Sequence, residues 1–540
     1  MIKEWESVIG LEVHLQLKTG TKVWCGCKSD YDESGINTHT CPICLGHPGA
    51  LPKLNKKVLD YAVKAALALN CQINNESGFD RKNYFYPDAP KNYQITQFEK
   101  SYAEKGYLEF KLNSGRQVKI GITKVQIEED TAKAIHGKNE SYLNFNRASI
   151  PLIEIISDPD MRNSEEAYEY LNTLKNIIKY TKVSDVSMET GSLRCDANIS
   201  VMEKGSKVFG TRVEVKNLNS FKAVARAIDY EIGRQIELIQ NGGKVDQETR
   251  LWDEENQITR VMRSKEEAMD YRYFNEPDLL KLVISDEEIE EIKKDMPETR
   301  LAKIERFKTN YSLDEKDALI LTEEVELSDY FEEVVKYSKS LSDRGYVGTF
   351  EGNISYKDFD QSRIFMTPTT TSKEDITEGK IITIDYDGNQ LDGDLNKTSE
   401  YILHTEIYKM RSDIKAIVHC HSPFSTAYAM AGKEFISKCA TEFIIQFGKV
   451  PCCKYGTPGT KEILGDISKY INEYDVFFLQ NHGVLAVGRD LVSAYSKIVT
   501  LENILKTECI RKMMFGDLCE DLPEEEIKKL TKLHDVNLKK

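Results

Sequence analysis

Three histidines in the second half of the chain have the residue type and spacing of a catalytic metal site. His419 and His421 form an H-x-H pair at the end of an apolar run, "IKAIVHCHSPF", and His482 follows another, "VFFLQNHGVLAVG". In a strand, a spacing of two places the pair on one face and turns Cys420 to the other. Three imidazoles with an open fourth position are typical of catalytic Zn²⁺. We therefore predict a zinc site at the ends of two strands.

Glu400 is the carboxylate that we predict to work with these histidines. It lies in "KTSEYILHTEIYKMR", where Thr398 or Ser399 is expected to cap an amphipathic helix and Glu400 to occupy its first turn. A Glu at that position could also serve only to complement the helix dipole. His404, on the same helix, is interpreted as a helix-face residue rather than a ligand.

Four cysteines near the start of the chain have the spacing of a second metal site. Cys25 and Cys27 form C-x-C, and Cys41 and Cys44 form C-x-x-C, with thirteen residues between the pairs. Four thiolates suit structural zinc and leave no open position for catalysis. The alternative is four buried or incidental thiols. His39 is a possible substitute ligand, or simply a histidine of a surface loop.

A third group of residues could hold a hard cation. Glu12 and His14 share one face of the strand predicted over 9–17, "IGLEVHLQL". Further carboxylates come from "KVQIEED" (124–130) and "GSLRCDANIS" (191–200). An oxygen-rich site of this kind fits Mg²⁺ bound to nucleotide phosphates, although an edge-strand Glu–His pair alone is also a common structural feature.

The composition describes a cytosolic protein with more than one core. Its 540 residues favour about three domains, and 30% charged with 40% apolar residues is ordinary for folded proteins. The net charge of −15 argues against broad, nonspecific binding of nucleic acid, but not against a local RNA site. No apolar run approaches the roughly 20 residues that cross a bilayer, and the first residues lack the order of a signal peptide. We therefore expect a cytoplasmic location, no membrane contact and reduced thiols.

Seven motifs follow one another between about residues 5 and 335. They read "IGLEVHLQLKTGTK", "HTCPICLGHPGALP", "DRKNYFYPDAPKNYQITQF", "PLIEIISDPDMR", "METGSLRCDANIS", "VEVKNLNSF" and "DYRYFNEPDL". This set resembles the B subunit of the aspartyl/glutamyl-tRNA amidotransferase. The resemblance implies a cradle-like, kinase-like α+β domain. There ATP and Mg²⁺ phosphorylate the side chain of Asp or Glu misacylated on Asp-tRNA(Asn) or Glu-tRNA(Gln), and ammonia from the A subunit displaces the phosphate; the A and C subunits are the implied protein partners.

The same resemblance assigns site residues. It places the Mg²⁺ ligands on Glu12, His14, Glu129 and Asp196. Lys82 and Lys216 are candidates for contact with the ATP phosphates, and each could instead be a solvated surface lysine.

Two departures from the family pattern bear on function. The family usually reads D-x-N-R-x-G before P-L-I-E, whereas this chain has "NFNRASIPLIE", so that Asn144 replaces the acid and Ser149 the glycine. If the glycine has a positive φ, Ser149 strains the backbone there. The family also continues into a helical tail that grips tRNA. We expect that tail to be absent here and tRNA binding to be weakened.

Six further motifs cover about 337–520. They read "GTFEGNIS", "MTPTTTSKEDIT", "TSEYILHTEIY", "AIVHCHS", "VPCCKYGTPGT" and "LQNHGVLAVG". They resemble the class II aldolase/adducin family, fuculose-phosphate aldolases in particular. The resemblance implies an α/β/α fold around a mostly antiparallel sheet, a homotetramer, and cleavage of a small phosphorylated ketose through an enediolate.

By the same resemblance, His419, His421 and His482 bind the catalytic Zn²⁺. Glu400 is the acid/base and would need a raised pKa in a dry pocket. The residues that would hold the substrate phosphate are Asn353, Thr369, Thr370, Thr398 and Ser399.

Some features leave the sugar and the reaction open. The family usually has Gly where Thr370 stands, and 439–447 lacks the tyrosine that fuculose-phosphate aldolases use as a second acid. An epimerase or dehydratase on the same scaffold is an alternative. Adducin-like members have no enzymatic role, but they lack the histidine set kept here.

The two family patterns meet in "VVKYSKSLSDRGYVGT", residues 334–349. The apolar spacing of "DYFEEVVKYSKSL" predicts one continuous helix that joins them. The expected fold is multidomain, α+β and α/β: an amidotransferase domain over 1–290, a helical linker region over 291–336 and an aldolase domain over 337–540. The expected function is a tRNA amidotransferase subunit fused to a zinc-dependent aldolase; the alternative is an aldolase alone, with an inactive N-terminal half.

Overall fold

A computed structural model describes residues 4–31, 35–137, 140–264, 271–311, 315–322, 325–358, 363–376, 380–393, 395–518 and 520–538. The chain divides into two compact units, Met1–Ala302 and Lys303–Lys540. Both mix helices and strands, which confirms the expected multidomain α/β organisation. None of the helices in the described ranges combines the length and the apolar character that crossing a bilayer requires.

The first unit is built on a nine-stranded sheet in the order β14-β13-β12-β11-β1-β10-β7-β6-β2. Its pairs are antiparallel except for the parallel pair β12–β13. The strands of this unit, including those outside the nine-stranded sheet, are β1 Trp5–Gln16, β2 Gln72–Ile73, β3 Glu76–Ser77, β4 Asp80–Asn83, β5 Tyr93–Thr96, β6 Ala103–Lys111, β7 Gln117–Glu129, β8 Lys133–His136, β9 Ser141–Asn144, β10 Pro151–Ser157, β11 Leu193–Glu203, β12 Val213–Leu218, β13 Glu248–Asp253, β14 Ile258–Ser264, β15 Phe274–Asn275 and β16 Leu282–Val283.

One face of this sheet is covered by helices and the other carries polar side chains. The helices are α1 Lys56–Ala68, α2 Ser164–Thr181, α3 Phe221–Gln240 and α4 Asp286–Lys294. Leu11, Val13 and Leu15 of β1 belong to the core formed with these helices. Because side chains alternate along a strand, Glu12 and His14 lie on the opposite face. The strand predicted over 9–17 is thereby confirmed as part of β1.

The second unit has an eight-stranded sheet in the order β20-β19-β18-β17-β21-β24-β23-β22. Its pairs are antiparallel apart from β22–β23, as expected for a mostly antiparallel sheet. The strands are β17 Asn353–Asp358, β18 Arg363–Met366, β19 Ile382–Asp385, β20 Gln390–Asp392, β21 Ala416–Cys420, β22 Cys452–Cys453, β23 Val476–Leu479 and β24 Gly483–Gly488.

Helices cover both faces of the second sheet. Val418 and Cys420 of β21 enter a core with residues of α7, α9 and α11, whereas Ile417 enters a second core with residues of α8. This is the α/β/α layering that the sequence predicts. The helices are α5 Arg300–Tyr311, which crosses the boundary between the units, α6 Glu315–Leu321, α7 Val325–Asp343, α8 Tyr401–Met410, α9 Pro423–Ala431, α10 Thr441–Gln446, α11 Leu491–Phe515 and α12 Glu524–Leu538.

The region predicted as a helical linker, 291–336, contains α5, α6 and the first part of α7. Its apolar side chains Phe307, Leu321 and Val334 are buried in the core of the second unit, because α5, α6 and α7 present apolar faces to that core. The continuous helix predicted across the junction is confirmed as α7.

Candidate functional sites

The open face of the first sheet forms a polar cleft of about 590 Å³. Strands β1, β7, β10, β11, β12 and β13 each contribute side chains to it. Cross-strand register explains the grouping: His14 pairs with Glu154, and Glu12 with Asp196. The cleft is lined by Glu12, His14, Lys82, Phe98, Lys124, Gln126, Glu154, Ile156, Asp196, Asn198, Arg212, Glu214, Lys216, Gln247, Glu248, Thr249, Tyr271 and Tyr273.

A candidate cation site is centred on His14. Its Nε2 lies 3.7 Å from Glu128 Oε2 and 3.5 Å from Glu154 Oε1. One ligand atom from each of the three residues falls within 4.8 Å of the others. Glu128 Oε1 is buried and has no hydrogen-bond partner among the described residues. A buried carboxylate oxygen without a hydrogen-bond partner, next to a second carboxylate and an imidazole, provides a place for a hard cation.

Two of the predicted ligands lie nearby but have other partners. Glu12 accepts a hydrogen bond of 2.8 Å from Asn198 Nδ2, and burial together with the Glu154 carboxylate raises its pKa. Asp196 pairs with Lys216, which also lies 2.9 Å from Glu214 Oε1. Both acids therefore belong to the cleft, at the edge of the group around His14.

Glu129, predicted as a ligand, does not face the cleft. Its side chain is 3% exposed. It accepts hydrogen bonds from Lys91 Nζ, from the Ile95 amide at 2.9 Å and from Ser149 Oγ at 2.7 Å. Neighbouring residues of a strand point to opposite faces, so that Glu128 and not Glu129 reaches His14.

The two lysines proposed for phosphate contact both line the cleft. Burial lowers the pKa of Lys82, but Glu128 and Glu154 outweigh it and hold that pKa above its usual value. The pKa of Lys216 is raised in the same way by Asp196 and Glu214 against burial. Both side chains are therefore ammonium ions at neutral pH, directed at the carboxylates on which a bound cation would lie.

An aromatic wall flanks these lysines and was missed in the sequence. Phe98 and Tyr273 stack with ring centroids 3.9 Å apart, and Lys82 Nζ lies 5.2 Å from the Tyr271 ring. Flat aromatic faces next to ammonium groups can hold a planar base. The one sequence signal was the tyrosine-rich "DYRYF", whose partners come from a distant strand.

Ser149 has the backbone conformation that the missing glycine would suit. Its φ is +65°, as anticipated. Its hydroxyl donates to Glu129, a contact that glycine could not make and that offsets part of the strain. Asn144, in place of the acid, accepts from the amides of Asn37 and Asn146.

The four predicted cysteines are brought together. Cys25, Cys27, Cys41 and Cys44 each offer a sulfur within 4.8 Å of the others. The hydrogen bond from the Cys25 thiol lowers the pKa of Cys44 to about 5, and the nearby Lys22 ammonium contributes. A preformed thiolate is the form that binds zinc. His39 is not in this group; its ring nitrogen bonds the Asp30 carbonyl at 2.8 Å.

The three histidines of the second unit also meet. One ring nitrogen of each lies within 4.8 Å of the others, and His419 Nε2 is 3.3 Å from His421 Nε2. His419 Nδ1 donates to the Val484 carbonyl at 3.0 Å, which leaves its Nε2 lone pair directed at the cluster. Such a carbonyl partner is the usual device that orients a metal-ligating imidazole.

Glu400 lies against this cluster. Its Oε1 is 3.0 Å from His482 Nε2, and its Oε2 accepts a hydrogen bond of 2.7 Å from Asn353 Nδ2. Glu400 is itself the N-cap residue of α8, without a side-chain cap bond, instead of a first-turn residue behind a Thr398 or Ser399 cap. The chain turns just before the helix, and this directs the carboxylate to the histidines instead of the helix amides.

The raised pKa expected for Glu400 is not found. Burial does raise it, but His419, His482 and the Asn353 amide outweigh burial and hold the pKa well below its usual value. Glu400 is therefore ionised at neutral pH, the form that accepts a proton.

The residues expected to hold phosphate surround the start of α8. Asn353 Nδ2 contacts Thr398 Oγ1 at 3.4 Å, and the Thr369 amide donates to the Asn396 carbonyl. Thr370 has a φ of +53°, a left-handed conformation that glycine would adopt without strain. Ser399 lies in the turn before Glu400, with its backbone oxygen toward Gly459.

Two contributors to this site were missed. His404 is fully buried and bonds Asn353 Oδ1 and Ser355 Oγ, so that it supports the amide that holds Glu400. Burial lowers its pKa to about 4. Glu351 lies 3.4 Å from His421 Nδ1. The roles of His404 and Glu351 could not be predicted from the sequence, because each contact joins residues that are far apart in the chain.

Comparison with known proteins identifies the first unit. The model of the GatB/GatE catalytic domain matches residues 7–290. The B subunit of the aspartyl/glutamyl-tRNA(Asn/Gln) amidotransferase of Fusobacterium nucleatum subsp. nucleatum is 97% identical over 340 residues, which are 63% of this chain and 71% of that protein. The corresponding protein of Clostridium novyi is 55% identical over 336 residues, 62% of this chain and 70% of that protein.

A second family covers the other unit. The model of the class II aldolase and adducin N-terminal domain matches residues 332–509. A solved L-fuculose 1-phosphate aldolase is 28% identical over 38% of this chain and 95% of its own, with a TM-score of 0.35. The sugar-phosphate aldolase of Thermotoga maritima is 23% identical over 36% of this chain and 99% of its own, with a TM-score of 0.32. Both matching families comprise enzymes, ligase-type and lyase-type respectively. The chain therefore belongs to the family of aspartyl/glutamyl-tRNA amidotransferase B subunits and carries a class II aldolase domain after the amidotransferase region.

Proposed function

We propose that the first unit carries out the ATP-dependent step of tRNA amidation, activating the side chain of Asp or Glu misacylated on Asp-tRNA(Asn) or Glu-tRNA(Gln). The observation that carries the proposal is the group formed by His14, Glu128 and Glu154 beside two ammonium ions. The buried Glu128 Oε1, which has no hydrogen-bond partner among the described residues and lies 3.8 Å from Lys82 Nζ, fits a Mg²⁺ ligand. Mg²⁺ held there would neutralise charge on the ATP phosphates.

The chain's own residues supply the rest of that step. Lys82 and Lys216 would bind phosphate oxygens, and their charge would stabilise the transferred phosphoryl group. Ammonia from the A subunit would then displace the phosphate, so the A and C subunits are required partners. The thiolate group at Cys25–Cys44 would hold a structural Zn²⁺.

The test is phosphate release from ATP with purified chain, A and C subunits and glutamyl-tRNA. We expect release that is lost in Glu12→Gln and His14→Ala, and tRNA affinity below that of the Fusobacterium nucleatum protein, because about 29% of the relative's length lies outside the matched region. Release unaffected by both substitutions would refute the site; salt-sensitive tRNA binding as tight as the relative's would refute the weakened contact.

The second unit supports a second function, cleavage of a small phosphorylated ketose. The histidine cluster with the ionised Glu400 favours it. Zn²⁺ bound by the cluster would supply Lewis-acid stabilisation of the carbanion formed by C–C cleavage. Glu400 would accept the proton of the substrate hydroxyl and return it to the product, and the residues around the start of α8 would bind phosphate.

Release of dihydroxyacetone phosphate from a panel of ketose 1-phosphates tests this function, with ribulose 5-phosphate epimerisation measured alongside. Epimerisation without cleavage would identify the alternative reaction. Light scattering on the same protein tests the proposed homotetramer. An active second unit with no ATP-dependent activity under any condition would support an aldolase with an inactive N-terminal half.

A further inference from the structure

A buried lysine beside the candidate aldolase site makes only one long hydrogen bond among the described residues. Lys373 is 2% exposed, at the start of a short 3₁₀ turn that follows the loop of Thr369 and Thr370. Its Nζ makes one hydrogen bond among the described residues, at 3.5 Å, to the Thr371 carbonyl. An ammonium has three donors, so that most of its hydrogen-bonding capacity is unused in this structure.

Such an arrangement is costly for the folded protein. A buried charge is tolerated when it is paired and hydrogen-bonded. Burial lowers the pKa of Lys373 to about 8, and Glu400 is the one carboxylate whose charge opposes that effect. Among the described residues no ion pair within 4.0 Å joins Lys373 Nζ to Glu400, whose two oxygens contact His482 and Asn353. Lys373 is therefore mainly an ammonium ion at neutral pH, with no carboxylate in ion-pair contact among the described residues.

The position of Lys373 indicates which anion it could bind. The preceding loop is compact, since Thr371 Oγ1 donates to the Thr369 carbonyl at 3.3 Å. This loop contains the threonine that stands where the aldolase family has glycine, and its side chain restricts close approach of phosphate to the backbone. A cation three residues further on would replace the lost backbone contact with a charge-assisted one.

We propose that Lys373 binds the phosphoryl group of the substrate and sets the preference of this site for an anionic ketose. The inference rests on the proposed aldolase function and deepens it. The residue is a binding residue and takes no part in proton transfer. A substrate carboxylate would satisfy the same cation, so the test compares the two anions.

The first experiment measures ligand binding without turnover. Inorganic phosphate and glycolate are titrated by calorimetry into the zinc-loaded full chain, its Lys373→Met and Lys373→Gln variants, and a Lys357→Met control. Lys357 is an equally buried lysine of the same unit whose Nζ donates to the Ser412 carbonyl at 3.3 Å. We expect phosphate to bind the wild type and the control alike, and to bind both Lys373 variants about 10- to 100-fold more weakly.

The second experiment separates binding from chemistry. Lys373→Gln should raise KM for the ketose phosphate about tenfold or more and leave kcat within about threefold. Zinc content and circular dichroism identify variants that have lost the fold, and Gln serves where Met fails. A fall in kcat at unchanged KM would overturn the assignment, since Lys373 would then act through Glu400.

The outcomes also distinguish this inference from the function on which it rests. If phosphate binding depends on Lys373 but no ketose phosphate is cleaved, the aldolase reaction is refuted and the assignment of Lys373 as a phosphate-binding residue stands. Cleavage with phosphate affinity equal in wild type and both variants would overturn the assignment alone. If glycolate binds more tightly than phosphate, and its binding depends on Lys373, then Lys373 recognises a substrate carboxylate. That result would refute the proposal that it binds the phosphoryl group.

Discussion

The carboxylate cleft of the first unit and the histidine cluster of the second position their groups in opposite ways. In the first, residues from neighbouring strands project from one open sheet face, and most of the atoms that could ligate a metal are oxygens. In the second, a strand end, a turn and a helix start converge, and one buried and two partly buried imidazoles meet. Oxygen-rich sites suit Mg²⁺ and imidazole sites suit Zn²⁺, so that one chain offers two distinct chemistries.

The difference also concerns how charge is held. Five carboxylates line the cleft, and the pKa of Glu12 and that of the neighbouring Glu128 are raised, mainly by burial. Beside the histidines, Glu400 is held ionised by its neighbours. Carboxylates outnumber the cationic side chains in the cleft lining, whereas Glu400 lies against the histidines and the Asn353 amide.

The largest expected effect is on Glu400. Glu400→Gln keeps shape and hydrogen bonding but cannot carry a proton, so cleavage should fall about 10²- to 10⁴-fold with zinc content unchanged. Glu406→Gln on the same helix is the matched control, because its side chain pairs with Lys409 away from the histidines. A Glu400→Gln protein as active as the wild type would refute the assigned role.

The next prediction tests the alternation along β7. Glu128→Gln should reduce ATP-dependent phosphate release about 100-fold or more, because it removes a ligand of the proposed cation, and should leave the fold intact. Glu129→Gln should instead lower the free energy of unfolding by about 3–5 kcal/mol, because it leaves the Lys91 ammonium with a neutral partner in the interior. Phosphate release measures the first effect and urea unfolding measures the second. If Glu129→Gln lost phosphate release and Glu128→Gln lost stability instead, the placement of the two side chains on opposite faces of β7 would be refuted.

A third prediction concerns the stability of the second unit at acidic pH. Since the pKa of His404 is lowered to about 4 in the folded state, the unfolded chain binds the proton more readily. This contribution to stability is present above about pH 6.5 and is lost as the pH falls toward 4, by roughly 3 kcal/mol. Urea unfolding of the second unit between pH 4 and 7 should show this loss. His404→Asn should reduce the slope without abolishing it, because burial also lowers the pKa of His419, to about 3, and that of His421. An equal slope in the variant would exclude His404 as the cause.

The smallest effect is expected at Ser149. Ser149→Ala keeps the positive φ and loses the bond to Glu129, whereas Ser149→Gly loses the bond and relieves the strain. We therefore expect the alanine variant to be less stable than the glycine variant by about 1 kcal/mol. Thermal unfolding of the two variants decides this, and an alanine variant as stable as glycine would show that the backbone there is unstrained.

Much of both sites could be predicted from short motifs. The histidine pair, the cysteine pairs and Glu400 were legible because the ligands lie two or three residues apart or belong to one family motif. Glu128 was within reach as well: in "KVQIEED", Val125 and Ile127 mark the buried face, and Glu128 lies on the other. Glu154 is the single charge in an otherwise apolar strand.

What could not be predicted depends on contacts between distant segments. The pairing of His14 with Glu154 depends on the register of β1 against β10, which no local pattern encodes. The charge state of Glu400 depends on three neighbours from β17, β21 and the turn before β24, and this reversed the expected direction of its pKa. The helices α5 to α7 were assigned to a linker because their polar residues are visible in the sequence, while the core that buries their apolar faces is not.

The central claim is that the two units carry separate metal centres, one of thiolates and one of imidazoles. Elemental analysis of the purified full chain tests it most directly, and about two zinc ions per chain are expected. The Cys41→Ser, Cys44→Ser double variant should retain one zinc and the cleavage activity, and the His419→Ala, His482→Ala double variant should retain one zinc and lose that activity. Loss of both ions in either double variant, or a wild type without zinc, would contradict the account.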